Sequence, residues 1–167
     1  LVGAKKWHET YQSLVGSGPT ADKILLPWGP IWPPSGYVSG SKTEITSNAQ
    51  FLLAVQDCMI KEHTLGACWE SEYGPDPLWN TSLVTDMSNT FKNKEQSNWM
   101  ISAWDTRRVT SMSEMFKSAK AFSFDISSWN TSQVTDMTRM FDTAVKFNQN
   151  IGTWDTSKVR SMVGMLA

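Results

Sequence analysis

A chain of 167 residues is long enough for one ordinary domain or for a short repeat array with attachments. Residues 1–78 carry 5 Lys against 8 acidic residues and residues 79–167 carry 10 Lys+Arg against 8, so neither half argues for nucleic acid. No stretch reaches the ~20 apolar residues of a membrane-spanning helix, and Leu1 stands where an initiator Met would, leaving any targeting segment out of view.

Residues 1–46 are expected to form an extended arm. Leu26-Pro-Trp-Gly-Pro-Ile-Trp-Pro-Pro-Ser-Gly36 is rich in Pro, aromatic and poor in charge, which excludes a regular helix and favours a stiff segment. Trp28, Ile31 and Trp32 either fold back over the chain itself or anchor a protein partner, where buried Trp side chains carry much of the binding energy.

Residues 47–78 read as a cap. From Ser47 to about Glu62, Phe51, Leu52, Val55, Cys58 and Met59 fall on one helical face, and Ser47 or Asn48 can cap the helix. Cys58 and Cys68 are the only cysteines, with nine residues between them and His63 midway. The pair is expected to form a disulfide worth ~2–3 kcal/mol, with two free thiols or part of a metal site as the alternatives. For a zinc knuckle the missing first cysteine would fall at Val55, inside the apolar stripe, and no fourth ligand is in sight, so no metal and no cofactor is expected.

Residues 79–167 repeat every 25 residues: Trp79, Trp104, Trp129 and Trp154 form one column. Val84, Val109, Val134 and Val159 form a second, and Met87, Met112, Met137 and Met162 a third. Phe91, Phe116 and Phe141 continue with Leu166, while Ile101, Ile126 and Ile151 precede each following Trp. The units are 79–103, 104–128, 129–153 and a partial 154–167. Met137, Met140, Phe141 and Ala144 at i, i+3, i+4 and i+7 predict a short helix, with Thr135 or Asp136 as its cap. Phe147 through Trp154 suits a short strand, and the Asn or Asp after each Trp suits a turn. The expected fold is thus an α/β repeat solenoid, leucine-rich-repeat-like, with one short strand and one short helix per coil. Its core is Trp79, Trp104, Trp129, Trp154, Met112, Met137, Phe116 and Phe141.

Polar residues recur with the same step. Asp86 and Asp136 alternate with Ser111 and Ser161, and Asp105 and Asp155 with Asn80 and Asn130, a pattern of caps and turns rather than calcium ligands. Asn80-Thr-Ser and Asn130-Thr-Ser satisfy the glycosylation pattern, yet the repeat itself generates it. A column of Thr81, Thr106, Thr131 and Thr156 invites an ice-binding face, which the bulky Arg107 beside it would break. Nothing has the spacing of a nucleophilic triad or a phosphate loop, so no enzyme is expected.

The sequence Trp129–Ile151 resembles the repeat of BspA-like leucine-rich-repeat surface proteins. Ala49–Cys58 and Cys68 resemble the leader helix and cysteine pair seen before such repeats in algal members. The resemblance implies a right-handed solenoid, an extracytoplasmic place or an oxidising organelle lumen such as that of the plastid thylakoid, and adhesion or protein binding without catalytic residues. The expected function is a non-enzymatic scaffold attached to a large multi-subunit or membrane-associated assembly. Alternatives are a surface adhesin or glycan-binding module, and a lumenal accessory subunit of an algal membrane complex. The last coil should expose Val163, Met165 and Leu166 to a partner, or to further repeats beyond Ala167.

Overall fold

A computed structural model describes residues 43–61, Tyr73 and 79–167. Lys42–Ala167 forms one compact unit. The named elements are β1 (Thr43–Glu44), α1 (Asn48–Lys61) and β2 (Trp79–Asn80). β1 runs parallel to β2 with Thr43 opposite Trp79, and Ile45 adds a bond from its N–H to the Asn80 carbonyl at 3.1 Å. Residues 43–46, read above as the end of the arm, are therefore part of the cap.

α1 starts where side-chain chemistry satisfies its orphan amides. Ser47 Oγ accepts the Gln50 N–H at 3.1 Å, and Gln50 Oε1 reaches back to the Thr46 N–H at 2.7 Å. The buried stripe is Phe51, Ala54, Val55 and Cys58, at i, i+3, i+4 and i+7. Leu52, placed on that face by the sequence reading, is exposed because it lies about 100° around the helix from Phe51.

Beyond β2 the chain is built from 25-residue coils in contact through backbone hydrogen bonds. Parallel bridges join Asp86 to Ser111, Ser111 to Asp136 and Asp136 to Ser161. This is a correction: the extended backbone pairs after the Val column, not along Phe147–Trp154 before the Trp. On the latter side the coils are joined mainly by side chains, such as Gln149 Nε2 donating to the Ser123 carbonyl at 2.7 Å and Thr153 Oγ1 to the Ser127 carbonyl at 3.1 Å.

The expected short helix is also replaced. Met140, Asp142 and Ala144 donate N–H groups to Met137, Arg139 and Phe141, each a three-residue turn at 3.0–3.2 Å. The alternate amides point sideways instead: Met137, Arg139, Phe141 and Thr143 donate to Ser161, Val163, Met165 and Ala167 of the next coil at 2.7–2.9 Å. An α-helix would consume every N–H internally, and a helix of two turns is marginal alone. Splitting the amides between turn and neighbour keeps the apolar stripe inward and adds four lateral bonds per interface.

That alternation requires left-handed backbone at two places in each coil. Asn89, Glu114, Arg139 and Gly164 have φ between 52° and 63°, and Asn93, Ser118 and Thr143 lie at 58–61°. Asn and Gly tolerate this region; for Glu, Arg and β-branched Thr it costs about 1 kcal/mol or more apiece. The lateral bonds hold them there.

Inside the coils the apolar columns stack on themselves. Phe91, Phe116 and Phe141 lie ring over ring with centroids 5.4 and 5.5 Å apart and planes within 6°. A second pair, Phe122 over Phe147 at 5.9 Å, lies against them, with Phe116 to Phe122 at 3.9 Å. Trp79, Trp104, Trp129, Trp154, Met112 and Met137 are all buried. Trp129 and Trp154 donate their indole N–H to the carbonyls of Ile101 and Ile126 at 3.0 and 3.2 Å, which a Phe at those positions could not do.

Phe116 touches rings on four sides and is completely buried. Replacing it with Ala should destabilise the protein by about 3–5 kcal/mol, read as a lower denaturant midpoint. A loss below ~1 kcal/mol would contradict this packing.

Candidate functional site

The polar columns singled out in the sequence make turns and interfaces. Asp86 and Asp136 accept the N–H groups of Ser88 and Thr138 two residues on, at 2.8 Å each. Asn80, Asp105, Asn130 and Asp155 accept those of Ser82, Arg107, Ser132 and Ser157 in the same way, at 2.9–3.1 Å. The bond from Ser157 holds the Asp155 carboxyl below its usual range, first through the backbone N–H. These side chains are the turn after each Trp. Among the described residues no group of His, Cys, Asp and Glu converges as a metal site would.

Three of the four threonines in the column are interior and Thr156 of the last coil is exposed, so the column makes no continuous surface. Thr81, Thr106 and Thr131 are buried and donate their hydroxyls to the Asp105, Asn130 and Asp155 carbonyls of the next coil at 3.0–3.1 Å.

Charged residues along the turn segment form a line of alternating sign. Glu114 pairs with Lys92 of the coil before and with Lys117, and Lys117 also faces Asp142 of the coil after at 3.6 Å. The hydrogen bond from Lys92 holds the Glu114 carboxyl below the usual carboxylate range. Lys92 and Lys117 each meet an anion one coil away, so these pairs join coils.

What distinguishes the two ends of the coil stack is cover. At the first coil, Asn48 Oδ1 accepts the Thr85 N–H at 2.9 Å and the Asp86 N–H at 3.3 Å, and its Nδ2 donates to Thr85 Oγ1 at 3.0 Å. In later coils the N–H groups of Thr110, Thr135 and Arg160 find the carbonyls of Thr85, Thr110 and Thr135, each at 2.8 Å. Asn48 thus supplies from a helix what a preceding coil would supply from backbone. Phe51 meets Trp104 edge-on at 5.1 Å and completes the cover.

At the fourth coil the apolar side chains lie open. Val163 and Leu166 are 70% and 69% exposed and Met162 40%, while Met165 packs partly against the core. Of the expected partner-binding residues, Val163, Met165 and Leu166 are therefore gathered at one edge. Trp28, Ile31, Trp32, His63 and Cys68 lie outside the described residues. Cys58 is buried on the inner face of α1, and no described cysteine is a free thiol. No described helix is long and apolar enough to cross a membrane.

The same residues meeting the same partners one coil apart make this a repeat protein. A family model described as "Mycoplasma protein of unknown function, DUF285" matches residues 66–167, most of the chain, and the protein belongs to that family. Comparison with curated proteins and with solved structures gave no match.

Asn48→Ala removes the acceptor for two backbone N–H groups of the first coil. It should cost about 1–3 kcal/mol, with faster amide exchange at Thr85 and Asp86. Unchanged exchange at those two amides would show that Asn48 is not the cap.

Proposed function

We propose that this protein is a non-enzymatic attachment scaffold, a repeat solenoid of the BspA-like leucine-rich-repeat kind that joins a larger assembly. One observation supports the reading: recurring polar side chains are spent on their own turn or the adjacent coil, while Val163 and Leu166 stay exposed on the fourth coil, as do Leu53 and Ile60 on α1 and Val145 on the third coil. A catalytic site needs titratable groups converging on a cleft; here charges pair along the coils instead. A docking face needs apolar surface free of internal partners, and the fourth coil offers it. The N-terminal arm, with Trp28, Ile31 and Trp32, is the second contact in this reading.

The test is native co-purification of the tagged full chain from its source, beside a Val163→Asp/Leu166→Asp variant. Wild-type protein is expected to bring down a defined set of partners that the variant loses at an unchanged thermal midpoint. Elution of both proteins alone, at monomer mass, would refute attachment.

The setting goes with the cysteines. We place the protein outside the cytoplasm, or in an oxidising lumen, with Cys58 joined to Cys68. Denatured, unreduced protein should then take up no iodoacetamide, and two adducts should appear only after reduction. Two adducts without reduction would return the protein to a reducing compartment.

A further inference from the structure

The turn after each Trp uses one side-chain atom. Asn80, Asp105, Asn130 and Asp155 each accept, through Oδ1, the N–H two residues on. Asp serves in two of the coils, so the turn requires that oxygen and has no use for an amide nitrogen. What the nitrogen does differs between the two asparagines. At Asn80, half-buried in β2, Nδ2 donates to Glu44 Oε2 at 2.7 Å and ties the first coil to β1. Asn130 is exposed, and its Nδ2 has no hydrogen-bond partner among the described residues. Its Oδ1 accepts both the Ser132 N–H at 3.0 Å and the Ser132 hydroxyl at 2.7 Å. Those two donors fill the oxygen's lone pairs and leave the nitrogen to solvent. Asn130-Thr-Ser132 is thus an acceptor triplet for glycosylation whose nucleophile is free. Repetition accounts for the triplet occurring twice, and the bond to Glu44 separates the two copies.

We propose that Asn130 carries an N-linked glycan and that Asn80, in the same triplet, does not. The inference rests on the extracytoplasmic setting proposed above and names one consequence of it. The donor is an oligosaccharide on a lipid diphosphate, handled by a separate transferase. Asn130 Nδ2 forms a bond to the anomeric carbon as the bond from that carbon to the phosphate oxygen breaks. The lipid diphosphate leaves with the electron pair, and one Nδ2 proton passes to a base of the transferase. The product is a secondary amide, so Oδ1 keeps both bonds from Ser132 and the turn is unchanged. At Asn80 the sugar would compete with Glu44 for the same nitrogen and crowd β1. In the folded chain the backbone around Asn130 is held on both sides. Thr106 Oγ1 donates to the Asn130 carbonyl and the buried Thr131 Oγ1 to the Asp155 carbonyl, each at 3.0 Å. Transfer therefore precedes closure of these coils, and the finished fold decides which glycan it can hold.

The test is peptide mapping of the full chain isolated from its source, before and after treatment with peptide:N-glycosidase in 18O water. The peptide that contains Asn130 should carry a glycan, whose release leaves 18O-labelled aspartate at position 130, and the peptide that contains Asn80 should be bare. Variants expressed in the same source assign the acceptor. Asn130→Asp takes the residue that the second and fourth coils already use in this turn, so it removes the acceptor and keeps the fold. Ser132→Ala keeps Asn130 and breaks the triplet. Both should lose the glycan mass completely. Ser82→Ala, which breaks only the Asn80 triplet, should leave that mass unchanged. A bare Asn130, a glycan at Asn80, or glycan mass retained in Asn130→Asp would each overturn the proposal. The iodoacetamide test keeps the setting separate. A bare Asn130 overturns the acceptor whatever the state of the cysteines, whereas a glycan beside two free thiols removes the disulfide and leaves the acceptor standing.

Discussion

The lateral hydrogen bond between equivalent turns is the constraint from which the rest of this structure follows. Each turn segment has about half its amides available for neighbours, because the other half close three-residue turns. A coil alone would leave those lateral amides to water and its Phe and Met columns half covered. Its order is consequently borrowed from the coils beside it, the general situation of repeat proteins. Left-handed Glu114, Arg139 and Thr143 are tolerable only under this arrangement, since nothing local favours them.

Side chains then follow from the backbone register. Once equivalent amides meet, equivalent residues lie about one coil spacing apart, and flat rings fill that spacing well. Phe91, Phe116 and Phe141 stack nearly parallel because the backbone offers each the same orientation, not because aromatic rings prefer full overlap. The same register lets Thr hydroxyls and Trp indoles reach carbonyls of adjoining coils, satisfying polar groups that burial would otherwise penalise.

Much of this was legible in the sequence, and its limits are instructive. Columns at a fixed step identified the buried Trp, Met and Phe residues, because an apolar residue repeated without insertion has few places to be except inside. Local structure was less legible. Met137, Met140, Phe141 and Ala144 share a face in a helix, but successive three-residue turns also bring them inward, and periodicity does not separate the two. Lateral bonding decided it, and that is a property of neighbours rather than of any window of sequence. Phe122 and Phe147 obey the same step and could have been found from it. Thr81 and its equivalents looked like surface because Thr is usually polar and exposed; the interior carbonyls they serve cannot be read from composition. Ser47 or Asn48 was legible as the helix cap; Ser47 takes that part, and the service of Asn48 to Thr85 spans 37 residues and needed the fold.

The alternation of amides also fixes how such a chain can change over evolutionary time. Inserting or deleting a single residue between Thr85 and Asn93, or at the matching place in any coil, would turn forward donors into turn closers and invert the ladder beyond that point. Adding or losing a whole 25-residue unit leaves every donor opposite an acceptor. Length in this segment is therefore quantised: recombination that copies complete coils is silent to the fold, and slippage by one codon is not.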